Sequence, residues 1–98
     1  MSEVPDAVVV EHDTTARQFR VGAGDQLAVL QYRRDPGAIT FLHTEVPEAF
    51  RGQGIAQKLA QTGLEFARGE GLNVIPLCPF VNAYIKRHPE YQSLVKPW

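Results

Sequence analysis

Val46-Pro47-Glu48-Ala49-Phe50-Arg51-Gly52-Gln53-Gly54-Ile55-Ala56 is the stretch on which the reading of this chain turns. It joins a segment with the period of a strand to one with the period of a helix. Upstream, Ala38 to Val46 carries Ile39 and Phe41 among β-branched residues and reads as a strand. Downstream, Ile55, Ala56, Leu59, Ala60, Gly63, Leu64 and Ala67 form one apolar stripe at helical spacing. Gln57, Lys58, Gln61, Glu65 and Arg68 take the other face, and Gly69 and Gly71 end the helix. Leu72-Asn73-Val74-Ile75-Pro76-Leu77 then reads as another strand. Strand, helix, strand is a βαβ unit, so these two strands should be parallel neighbours with a right-handed crossover.

Working outward, the N-terminal side reads as strands throughout. Ala7 to Glu11 holds the β-branched run Val8-Val9-Val10, and Arg17 to Val21 alternates polar and apolar residues. Gly22-Ala23-Gly24-Asp25 is a turn signal, Leu27 to Arg33 is the next strand, and Asp35-Pro36-Gly37 ends it. Turns this short imply an antiparallel meander. On the C-terminal side a short helix is expected over about Val81 to Arg87, before Pro89. The expected fold class is α+β. A mixed sheet of about five strands, a meander followed by the βαβ unit, carries about two helices in one domain over residues 1–98.

The composition suits that size. Of 98 residues, 44% are hydrophobic and 21% charged, an ordinary globular balance rather than a disordered or fibrous one. Ten Lys and Arg stand against eleven Asp and Glu, a net charge of −1, which is not the footprint of a nucleic-acid binder. No apolar run reaches the roughly 20 residues of a membrane helix. The opening residues show no signal-peptide pattern, and the lone Cys78 permits no internal disulfide, so the expected location is the cytosol. His12, His43, His88 and Cys78 lack ligand spacing, and no metal site is expected.

The glycines of the joining stretch let backbone approach a ligand closely. The first N–H groups of the helix have no intrahelical partner and carry the positive end of its dipole. Together these make a cradle for a pyrophosphate. The spacing is neither that of a P-loop nor that of a dinucleotide fingerprint.

Arg51-x-x-Gly54-x-Ala56 resembles the R/Q-x-x-G-x-G/A acetyl-CoA motif of the GNAT N-acetyltransferase superfamily. Four stretches between Ile39 and Tyr91 are similar, more narrowly, to its small stand-alone Yjdj-type branch. They are Phe41-Leu42-His43-Thr44-Glu45-Val46-Pro47, Arg51-Gly52-Gln53-Gly54-Ile55-Ala56, Pro76-Leu77-Cys78-Pro79-Phe80-Val81 and Tyr84-Ile85-Lys86-Arg87-His88-Pro89-Glu90-Tyr91. The resemblance implies an acetyl-CoA-dependent N-acetyltransferase. Backbone from Gly52 to Ala56, including Gln53, Gly54 and Ile55, would bind the CoA pyrophosphate, with Arg51 on a phosphate and Val46 along the wall. Lys58, Lys86 and Arg87 could reach the 3′-phosphate. The fourth and fifth strands would splay and admit the pantetheine arm, which suits Pro47, Pro76 and Pro79 at the strand ends, where a missing N–H costs little.

Two residues are the candidate catalysts. Cys78 falls at the carboxyl end of the parallel pair and just before a helix, where the dipole favours a thiolate. It could carry or face the acetyl group, or be a small buried core residue. His43 lies late in the fourth strand, and histidine is the side chain suited to a base near neutrality. It could act on Cys78 or on the amine, or merely sit on the sheet face. Alternation puts Glu45 on the face of His43 and Thr44 on the other, unless a bulge of the kind found in this superfamily intervenes. The glutamate base of better-known members has no counterpart in the apolar segment Ala38 to Phe41. Tyr84 is the nearest match to their general acid, against the favoured reading of a helix residue packing on the sheet, and Tyr91 is weaker.

The helices that usually follow the first strand and build an acceptor groove are missing, so the acceptor side should be open. The acceptor is an unidentified amine, with a protein lysine or N-terminus among the candidates, and neither nucleic acid nor membrane is an expected partner. The alternative is an acyl-CoA-binding module, or subunit of a larger assembly, without catalysis. A small interaction domain whose glycine loop is only a turn is the third reading. Trp98 could cap the core or mark a contact.

Overall fold

The computed structural model describes residues 8–95. Ala7 and Trp98, on which two expectations fell, lie outside them. Five strands run in the order β1 (Glu11–Asp13), β2 (Gln18–Ala23), β3 (Gln26–Asp35), β4 (Ala38–Glu45) and β5 (Asn73–Pro76). The first four pair antiparallel, and β5 pairs parallel to β4. Helix α1 (Ile55–Gly69) makes the crossover, and α2 (Pro79–Arg87) follows β5. Short 3-10 segments cover Glu48–Phe50 and Pro89–Leu94. This is the α+β architecture read from the period changes.

The α1 stripe packs as its spacing requires, with Ile55, Leu59, Ala60, Gly63, Leu64 and Ala67 all buried. It meets one face of the sheet, where Phe19, Leu30, Tyr32, Ile39 and Phe41 join the same core. Gly63 sets how closely helix and sheet approach. A Cβ there would stand 2.9 Å from the Phe41 ring, inside any normal contact distance. α2 begins two residues earlier than its apolar pattern suggests, because Pro79 takes the first helical position, where its fixed φ is favourable.

The first strand is displaced from its expected place. The Val8-Val9-Val10 run lies before the strand, and Val9 is 77% exposed. β1 instead spans Glu11–Asp13 and pairs with Gln18 to Arg20. What it gains there is specific. The His12 ring stacks on Phe19 at 4.1 Å and bonds Tyr32 Oη at 2.7 Å. Arg20 reaches both Glu11 and Asp13. A buried aromatic site and two ion pairs outweigh β-branched propensity, which is a weak local preference.

Candidate active site

β4 changes character halfway along. Its parallel pairing with β5 runs from Ala38 to Phe41 and stops at Phe41 opposite Pro76. One further bond, from the Cys78 N–H to the Phe41 carbonyl at 2.9 Å, closes the ladder. Beyond it the chain turns into α2, and among the described residues the segment 42–45 keeps β3 as its only strand neighbour. The two parallel strands therefore open into a cleft.

A β-bulge falls at the same point. Tyr32 opposes Phe41 but Gln31 opposes His43, so Leu42 is the extra residue. A bulge re-aims the side chains that follow it. Thr44 pairs with Leu30, on the face that Leu30 shares with Tyr32, so Thr44 points toward the helices. There its Oγ1 lies 3.2 Å from the Sγ of Cys78. His43 and Glu45 turn to the opposite face, where His43 Nε2 and Glu45 Oε2 are 3.6 Å apart. His43 and Cys78 are thus not partners. The residue beside Cys78 is Thr44, and the bulge is the reason. Glu45 does share the face of His43, because the bulge precedes both. Cys78 itself is 2% exposed.

The joining stretch folds as a 3-10 turn and two left-handed glycines. Phe50 N–H donates to the Pro47 carbonyl, Arg51 N–H to that of Glu48, and the Gln53 amide to that of Ala49. The Phe50 ring packs over Gly22 of β2. Gly54 is the residue at the helix start, with φ 74°, a conformation that costs a residue with a Cβ about 1–2 kcal/mol. No side chain caps α1, so its first N–H groups face outward. They open on a cavity of ≈ 210 Å³ lined by Val46, Arg51, Gly52, Gly54, Ile55 and Ala56. These are six of the seven residues expected at a cofactor. Gln53 is the exception, since its side chain is tied back to Ala49. Phe50, Gln57 and Phe80 also line the cavity. Phe50 and Gln57 flank the motif in sequence, whereas Phe80 comes from α2 and reaches the cavity only through the fold. A second cavity of ≈ 320 Å³ shares Val46 with the first and is lined by Asp25, Leu27, Glu45, Val46 and Pro47.

The remaining candidates stand apart. Tyr84 is 5% exposed and stacked on His88 at 3.9 Å. Tyr91 donates to Glu65 at 2.7 Å under the Arg68 guanidinium, tying the C-terminal segment to α1. Burial, reinforced by the Glu65 carboxylate, pushes the Tyr91 hydroxyl well above the ordinary tyrosine range, so it holds its proton. Lys86 and Arg87 occupy the last turn of α2, ~9 Å along its axis from Phe80, and neither lines the cavity. Lys58 does not line it either. No group of three or more His, Cys, Asp or Glu among the described residues could hold a metal ion.

Residues 18–94 match the family model described as GCN5-related N-acetyl-transferase. The chain belongs to that family. It is 39% identical over 88 residues to Protein NATD1 of Homo sapiens, covering 87% of this chain and 78% of that one. It is 37% identical over 91 residues to Protein NATD1 of Xenopus tropicalis, covering 90% and 84%. Among solved structures, the NMR solution structure of a GCN5-like protein from Staphylococcus aureus superimposes with a TM-score of 0.73. The two are 26% identical, and the match covers 96% of this chain and 93% of that one.

Proposed function

We propose that this chain is a single acetyl-CoA-binding domain that transfers the acetyl group to an amine. One observation carries the reading. The uncapped start of α1 opens on a cavity walled by Val46 and Phe80, each two residues from the bonded Thr44–Cys78 pair.

Acetyl-CoA supplies an activated thioester. The N–H groups from Gly52 to Ala56 hold its pyrophosphate, with the α1 dipole behind them. Arg51 forks onto a phosphate, exchanging the weak exposed contact it makes with Glu48 at 3.4 Å. Val46 and Phe80 flank the pantetheine arm. Backbone N–H groups on the unpaired side of residues 42–45 stabilise charge that develops on the thioester oxygen. The amine nitrogen bonds to the acetyl carbon as the carbon–sulfur bond breaks. The amine loses a proton, and the departing thiolate takes one up. His43, exposed beside Glu45, receives the first proton through water. The Thr44–Cys78 pair borders the acetyl position. A single free cysteine suits a reducing compartment such as the cytosol.

Thermal unfolding with acetyl-CoA, with CoA and without ligand tests the cradle. Ligand at 100 times its dissociation constant adds about 2.7 kcal/mol, and each kcal/mol moves the midpoint by roughly 4–8 °C for a chain of this length. A shift with both ligands is the expected result, and no shift at millimolar ligand overturns the reading. Binding without acetylation of any amine leaves an acyl-CoA-binding module.

A further inference from the structure

We infer, building on the acetyl-CoA reading above, that the cavity outside β4 is the acceptor site and takes amines that carry a second positive charge. The two cavities share Val46 and are opposite in polarity. Among the described residues, the one on the α1 side has Arg51 and the helix N-terminus and no carboxylate, whereas the other has Asp25 and Glu45 and no cationic side chain. An anionic donor and a cationic acceptor would thus meet across one residue.

The two carboxylates come from separate elements. Asp25 sits in the two-residue turn that joins β2 to β3, and Glu45 ends β4. Asp25 has no ion-pair or hydrogen-bond partner among the described residues, and Glu45 pairs only with His43, at 3.6 Å. Leu27, Val46 and Pro47 supply the apolar part of the lining. That lining fits an alkyl stem with a charge at its far end.

The chemistry asks for the second charge. The nitrogen that attacks must first lose its proton, so a carboxylate holding only that nitrogen would oppose the reaction. A carboxylate that holds a different ammonium, one that keeps its proton throughout, positions the acceptor without that penalty. Asp25 is then the specificity-determining group, Glu45 shares the charge, and His43 lies on the same face to take the proton. A diamine and a dibasic peptide segment present the same chemistry.

The test compares cadaverine with pentylamine, which has the same chain length and one charge, and with a capped dilysine peptide. Each is assayed with acetyl-CoA on the full chain and on Asp25→Lys and Glu45→Gln. The expected result is a higher kcat/KM for cadaverine or the dilysine peptide than for pentylamine. In Asp25→Lys that preference should fall about tenfold, mostly through KM, the scale of reversing one exposed charge contact. Whichever of the two acceptors is preferred identifies the source of the second charge. An amide NMR titration with cadaverine should move residues 25, 27, 45 and 46 in the native chain and not in Asp25→Lys. A preference that survives the charge reversal, equal rates for cadaverine and pentylamine, or no shift at these amides overturns the inference. Failure of acetyl-CoA to raise the unfolding temperature would instead overturn the function it rests on.

Discussion

The two halves of β4 belong to one strand and face different surroundings. Ala38 to Phe41 has β3 on one side and β5 on the other, and Ile39, Thr40 and Phe41 are all buried. Among the described residues, the segment 42–45 keeps β3 alone, and Leu42, His43 and Glu45 are exposed. The bulge and the last β4–β5 bond coincide, so the strand passes from core to cleft wall within one residue. The first half holds the fold together. The second half presents backbone and side chains to whatever enters.

Substitutions can break this contrast. Phe41→Ala should cost about 3–5 kcal/mol, a large share of a small domain's stability, and Leu42→Ala no more than about 0.5 kcal/mol. Denaturant unfolding measures both, and equal costs would dissolve the distinction. Gly54→Glu comes next. It should lose about 1–2 kcal/mol to the left-handed backbone and lose the stabilisation by acetyl-CoA entirely, because a carboxylate then faces the phosphates. A folded Gly54→Glu protein that still binds CoA would remove the cradle from the cleft.

A smaller effect is expected at the Thr44–Cys78 contact. Thr44→Val takes the hydroxyl from Cys78 Sγ and should cost about 1 kcal/mol. Cys78→Ala should keep acetyl-CoA binding and lower the acetylation rate, and an unchanged rate would leave the thiol a packing role.

The mildest prediction concerns pH and the far edge of the sheet. Burial lowers the pKa of His12 below 6.5; Asp13 opposes that shift, and Arg34 adds to it. The unfolded chain therefore binds the proton more tightly. Stability is complete above about pH 6.5 and declines as the pH falls through that value toward the lower folded pKa. Unfolding midpoints between about pH 5 and 7 should slope accordingly, and His12→Phe should flatten the slope. An unchanged slope in that variant would assign the pH dependence to other groups.

The meander, the α1 stripe and the glycine loop before α1 are legible in the sequence because each is a local pattern. A period of two, a period of 3.6 and a pair of glycines before a helix need no knowledge of distant residues. β1 does not follow from local pattern because its register depends on His12 meeting Phe19 and Tyr32. Phe80 carries no local signal because it approaches the glycine loop only after α2 has packed. The pairing of Cys78 with Thr44 rather than His43 follows from one extra residue in β4, which alternation alone cannot locate.

The sequence by itself determined the order of the elements, the face that α1 buries and the glycine loop that leads into it. These follow from side-chain periodicity and backbone freedom, which act over a few residues. Only the tertiary structure decided which β4 side chain meets Cys78, where the parallel strands part, and that Asp25 and Glu45 share a cavity. Those outcomes depend on strand register, and register is set by contacts between residues far apart in the chain.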